Sequence, residues 1–107
     1  MKTFRDLPAV SAERAQAGKL YLEFLRVPAL SAGVYVLPAG ATDPQKPHKE
    51  DEVYFVVRGF ATMRVGSEEQ PVKAGSVIFV AAKVEHRFFD IREELEVLVF
   101  FAPAESQ

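Results

Sequence analysis

Residues 52 to 65 read EVYFVVRGFATMRV, a run of Val, Tyr, Phe and Thr interrupted once, by Gly59. Such residues fit the half-buried pleat of a β-strand. Side chains alternate along a strand, so Glu52, Tyr54 and Val56 share one face, while Val53, Phe55 and Val57 share the other. A glycine weakens a straight strand but tolerates a corner, so Gly59 predicts a sharp bend or bulge at which the chain folds back.

The pattern repeats in both directions along the chain. LYLEFLRV (20 to 27), AGVYVL (32 to 37), EVYFVVR (52 to 58), FATMRV (60 to 65), SVIFVA (76 to 81), HRFFD (86 to 90) and LEVLVFF (95 to 101) read as short β segments. Pro38 with Gly40, Gly59, and Gly66-Ser67 mark turns between them, the last opening a hairpin. SAERAQAG (11 to 18) is the one helix candidate, with Ser11 as N-cap and Gly18 as terminator. Seven strands without helices between them predict an all-β fold, an antiparallel sandwich or barrel, with at most one short N-terminal helix. The barrel spans about residues 20–101 of a single domain of residues 1–107, preceded by an extension over 1–19; the last residues, AESQ, read as a frayed tail.

Composition limits the function. The chain has 107 residues, 49% of them hydrophobic and 26% charged, with nine Phe and a formal net charge of -2. That describes a packed globular protein and supplies no cluster of Lys and Arg to neutralise phosphates, so nucleic acid is not an expected partner. Nothing approaches the roughly 20 apolar residues of a membrane span, and Met1 to Val10 lacks a secretory apolar segment. With no cysteine there is neither a disulfide framework nor a thiol nucleophile, and the cytoplasm is the expected location. Alternating apolar residues on both faces of some strands leave one face needing cover, which predicts a homodimer.

Chemistry concentrates at the only two histidines, His48 and His86, and at Glu52. If His48 continues the path of the 52–58 strand, its offset of four places it on the Glu52 face. A carboxylate heading an apolar strand is costly to bury unless a partner or a cation meets it. Two imidazoles and a carboxylate bind Zn, Fe, Mn or Ni and leave coordination positions open. The competing reading is that His48, in the polar stretch DPQKPHKEDE, and His86, near a turn, are simply exposed.

The spacing around these residues resembles the two motifs of the cupins. Gly40 is followed by ATDPQ, Lys46-Pro47-His48, KED, Glu52, VYFVVR and Gly59, as in Gly-x5-His-x-His-x3-Glu-x6-Gly. Gly75 is followed by SVIFV, Ala81-Ala82-Lys83, VE, His86, RFF and Asp90, as in Gly-x5-Pro-x-Gly-x2-His-x3-Asn. The resemblance implies a double-stranded β-helix, a jelly-roll-like barrel of two antiparallel sheets, holding a divalent metal through His48, Glu52 and His86. The departures are Lys46 at the first motif histidine, Ala81 and Lys83 in the second motif, and Asp90 at its end. Whether Gln45, Lys46 or water would complete the site stays open; Lys46, a poor ligand while protonated, would otherwise contact an acidic small-molecule ligand or replace the metal as the cation beside Glu52.

Tyr54, on the Glu52 face, either offers its hydroxyl to a bound ligand or is a core tyrosine with a satisfied hydroxyl; Arg26 and Arg64 are candidates to hold a carboxylate at the barrel mouth, although arginine on a β-surface is more often solvated. Asp90, about 13 Å along the strand from His86, is too far to orient it unless the chain curves. Three functional readings follow: a metal-dependent enzyme acting on a small polar or acidic metabolite, a non-catalytic metal- or ligand-binding or sensing module, and an apo structural barrel.

Overall fold

The chain is described here from a computed structural model covering residues 2–106. In chain order its elements are α1 (Leu7–Ala17), β1 (Tyr21–Val27), β2 (Leu30–Leu37), β3 (Asp51–Val65), β4 (Glu68–Lys73), β5 (Val77–Val80) and β6 (His86–Ala102). All strand pairs are antiparallel, in the order β1-β2-β6-β3-β4 with β5 added beside β3. The long strands β3 and β6 run through both layers of the barrel. The first half of β3 pairs with β5 and with the second half of β6, which also carries β2. The second half of β3 pairs with β4 and with the first half of β6.

Gly59 is where β3 changes layers. Its φ is +104°, and the register with β6 shifts between Val56 and Arg58, between Arg58 and Phe60, and again before Thr62. The strand bends sharply without ending, so the expected reversal at this glycine is a corner within one element. Residues 86 to 90 and 95 to 101 likewise belong to one strand, giving six strands in place of seven. The strand not anticipated is β4, EEQPVK, whose charges and Pro71 are acceptable on a free edge.

The inner face of β3 is as the alternation predicts. Tyr54, Val56 and Phe88 are fully buried, with Leu37, Leu95, Val97 and Val99 filling the same core. Val53 and Val57 are half-buried on the outer face, and Phe55, Val77 and Phe79 are exposed there.

The helix begins five residues earlier than expected, with Asp6 at the N-cap position in place of Ser11. Pro8 lies in its first turn, where proline's fixed φ favours helix and its missing N–H costs nothing; Gly18 closes it in the left-handed conformation at φ +67°. Ser11 is therefore an interior residue and not the cap. Its hydroxyl donates to the Glu96 carboxylate, which also accepts Arg58 Nε at 2.9 Å, so the helix is pinned to the outside of β6.

The residues after β6 are not frayed. Ala104 N–H donates to Pro28 O at 3.2 Å, Glu105 N–H to Ser31 Oγ at 2.9 Å, and Ser106 N–H and Oγ to Glu50 Oε2 at 3.1 and 2.7 Å. Arg26 Nη2 donates to the Glu105 carbonyl at 2.6 Å. Gln107, the end of the expected tail, lies outside the described residues.

Candidate metal centre

Glu52 heads the inner face of β3, and His86 is the first residue of β6. By register they belong to opposite ends of β3, since Glu52 faces Phe101 while His86 faces Val65. A straight strand would hold Glu52 and Val65 about 43 Å apart. Because β3 turns its corner at Gly59, Glu52 Oε1 lies 2.9 Å from His86 Nε2. His48 arrives from the loop before β3, with Nε2 3.8 Å from the same oxygen. Its carbonyl accepts Lys83 N–H at 2.6 Å, which ties that loop to the turn before β6. One ligand atom from each of the three side chains lies within 4.8 Å of the others.

Glu52 and His86 are the buried members of this group. Both carboxylate oxygens of Glu52 and Nε2 of His86 are buried, and apart from the 2.9 Å approach of Oε1 to Nε2 none meets a hydrogen-bond partner. Polar atoms buried without partners cost about 1–3 kcal/mol each, more when charged, so native folds rarely retain them without a ligand. His86 Nδ1 lies 2.9 Å from Val84 O, an acceptor suited to a proton on Nδ1, and Nε2 is turned toward Glu52. Burial pushes the His86 ring down, but the Glu52 carboxylate and the Val84 carbonyl outweigh it, and the ring ends above its ordinary value.

Gln45 is held with its oxygen toward the cluster. Its Nε2 donates to Asp43 Oδ2 at 2.9 Å, and its Oε1 accepts the Tyr54 hydroxyl at 2.6 Å and lies 3.5 Å from His48 Nε2. The buried Asp43 also accepts Tyr35 OH at 2.7 Å, Gln45 N–H at 3.2 Å and Phe88 N–H at 2.9 Å, so one carboxylate organises the loop that presents Gln45. Tyr54 is wholly enclosed, and its hydroxyl is engaged by Gln45; it supports that amide and is not offered to a ligand in the cleft. Burial, reinforced by the Glu52 charge, pushes the Tyr54 phenol well above its ordinary value.

Lys46 is exposed and lines a cleft of about 370 Å³ with Pro47, Arg64, Glu85, His86 and Arg87. It makes no ion pair with Glu52 among the described residues, so it does not stand in for a metal there. Arg64 shares the cleft and donates to Gly66 O at 3.0 Å, whereas Arg26 is paired with Glu23. Asp90 is exposed, contacts Arg92, and has φ +48°, a backbone state Asp and Asn tolerate well. Lys83, at φ +70°, occupies the left-handed position where the motif has glycine.

A second hollow, about 130 Å³, opens on the other side of Gln45 and His48, walled by Tyr21, Tyr35, Val99, Phe101 and Glu105. Glu105 escaped the sequence reading. Its Oε2 lies 3.3 Å from His48 Nδ1, and it belongs to no motif or apolar pattern that would have marked it. Burial raises the Glu105 carboxyl above its usual range although the His48 ring pulls it down; Glu50, Glu52 and Glu23 push the same way as burial.

A corner-turning antiparallel barrel with a His-Glu-His cluster at one end defines a class, and the comparisons agree. The family model of the cupin domain matches residues 33–101, and the chain belongs to that family. It is 54% identical over 106 residues to the uncharacterized protein SCO3923 of Streptomyces coelicolor, covering 99% of this chain and all of that one. Among solved structures it resembles TT1209 from Thermus thermophilus, with a TM-score of 0.74 and 23% identity over 96% of this chain and 99% of that one. KdgF from a Halomonas species gives a TM-score of 0.71 and 19% identity over 78% of this chain and 76% of that one. These structural likenesses concern the double-stranded β-helix fold.

Proposed function

We propose that this single-domain cupin is a divalent-metal protein that binds or transforms a small polar or acidic molecule. His48, Glu52 and His86 are the ligands, with Gln45 Oε1 as a fourth. The observation that carries the reading is the trio of buried atoms on Glu52 and His86 that meet no hydrogen-bond partner outside the cluster itself. A cation satisfies all three at once, and the donor set suits Zn, Fe, Mn or Ni. Bound there, the metal would supply Lewis acidity or oxygen activation at an open coordination position. The chain's own residues do the rest: Val84 and Asp43 fix the His86 and Gln45 donors, and Lys46, Arg64 and Arg87 give the adjoining cleft a positive wall suited to a carboxylate or phosphate.

The apo-barrel reading loses support because Lys46 lines the outer cleft and makes no ion pair with Glu52, whose only ion-pair partners among the described residues are the two histidine rings. A cytoplasmic homodimer, joined through the exposed face of β3 and β5, completes the proposal.

Metal analysis tests it. The purified protein, reconstituted with each of the four metals and desalted, is expected to retain about one equivalent; His48→Ala and Glu52→Gln are expected to retain less than about a tenth. Retention below a tenth in the parent for every metal would overturn the reading. A substrate screen under air and under nitrogen then separates a catalyst from a non-catalytic module, through turnover lost in the same variants.

A further inference from the structure

We propose that Glu105 is a positioning residue of this centre: its carboxylate accepts the Nδ1 proton of His48 and fixes the tautomer that leaves Nε2 free for the metal. The inference rests on the metal reading above.

The surroundings of the His48 ring carry it. Nε2 faces two acceptor oxygens, Glu52 Oε1 at 3.8 Å and Gln45 Oε1 at 3.5 Å, and Nδ1 faces a third, Glu105 Oε2 at 3.3 Å. A neutral imidazole carries one N–H, so it can serve only one of these directions. With the proton on Nδ1, Glu105 is served, and the lone pair of Nε2 joins the oxygens of Glu52 and Gln45 around a common cation. With the proton on Nε2, the ring is lost as a ligand on the side where the other donors lie. His86 is built in the same sense, with Nδ1 against the Val84 carbonyl and Nε2 toward Glu52. The two rings differ in where the acceptor comes from. For His86 it is backbone two residues away; for His48 it is a side chain from beyond the last strand.

That side chain is held from several directions. The backbone N–H of Glu105 donates to buried Ser31, its carbonyl accepts Arg26, and the next residue bonds twice to buried Glu50. These bonds strap the segment across the β1–β2 end of the barrel and aim one carboxylate into the hollow beside His48. Carboxylate partners of this kind orient ligand histidines, and losing one typically costs 10–100-fold in metal affinity.

Imidazole nitrogen NMR on the metal-free full chain, above the pH at which the rings are neutral, reads the tautomer directly, and the protein has only two histidines to assign. In the parent both rings are expected as the Nδ1–H form. In Glu105→Ala, His48 is expected to move toward the Nε2–H form that free imidazoles favour, while His86 stays unchanged as an internal reference. Zn affinity by calorimetry is expected to fall roughly 10–100-fold in Glu105→Ala and only a few-fold in Glu105→Gln, whose amide oxygen still accepts. A parent with His48 in the Nε2–H form, or a Glu105→Ala protein with the parent tautomer, overturns the role whatever happens to affinity. Unchanged affinity in Glu105→Ala overturns it too, and in each of these cases the parent's metal binding stands. A parent that retains none of the four metals overturns the metal reading and this role together.

Discussion

Tyr35 gives its hydroxyl proton to Asp43 inside the barrel, and the Tyr21 ring lies edge-on to it with centroids 6.3 Å apart. Burial raises both phenols well above their ordinary value; Asp43 adds to the effect for Tyr35, and Glu105 and Glu23 add to it for Tyr21. A phenol whose folded value lies above its unfolded value, near 10, stabilises the fold fully below about pH 10 and loses that contribution as pH rises toward the folded value. In urea unfolding the tyrosine contribution is therefore expected to be level up to about pH 10 and to fall above it, with each tyrosine contributing up to roughly 1.4 kcal/mol per pH unit. Tyr35→Phe should reduce that slope by about one such contribution; an equal slope in the variant would show that the phenol is not held as described. Residues of this kind divide sharply in legibility. His48, Glu52 and His86 could be singled out because their offsets from turn glycines match the cupin motifs; spacing alone left the exposed reading open. Tyr54 was placed on the correct face, but which partner its hydroxyl finds depends on the loop carrying Gln45, whose path is set by Asp43 and by no local pattern.

Elements were most legible where apolar alternation is strong and least where a strand borders solvent. The inner and outer faces of β3 followed from residue parity alone. β4 did not, because Glu68, Glu69, Gln70 and Pro71 carry turn-like chemistry and the edge position that tolerates them is a tertiary fact. Gly59 drew attention as an interruption, yet a sequence cannot distinguish a chain reversal from a corner inside one strand; cross-strand pairing with β6 on both sides decides it. The same glycine gives the prediction at this scale. A Cβ there would lie 2.6 Å from Leu95 Cα and closer still to the Glu94 carbonyl, at a φ that L-residues rarely adopt. Gly59→Ala is expected to lower unfolding free energy by roughly 2–4 kcal/mol in urea titration and to weaken metal uptake with it. A loss under about half a kcal/mol would mean that the corner is not constrained.

At the scale of the molecule, the outer face of the barrel is unevenly covered. The helix shields the β1–β2 side with Val10 buried beneath it, whereas Val77 and Phe79 are 67% and 60% exposed. These two stand opposite Phe55 and Val53 across the β3–β5 ladder, and Leu98 and Phe100 extend the row on β6. An apolar face of this kind fits a two-fold contact with a second copy, for which a stable interface needs roughly 800 Å² per partner. Light scattering at micromolar concentration is expected to give the mass of a dimer for the parent and of a monomer for Phe79→Glu. A monomeric parent would remove the homodimer from the proposal.

The pairing of Glu52 with His86 also has a meaning in the language of polymers. Between them run 86 − 52 = 34 steps of chain, comprising the corner, the β3–β4 hairpin and β5. An ion shared by those two side chains would be a clasp on that loop, taking closure entropy from the unfolded chain as a covalent cross-link does. For a protein without a cysteine, occupancy of the centre would then set how long the barrel stays shut, alongside any chemistry done there.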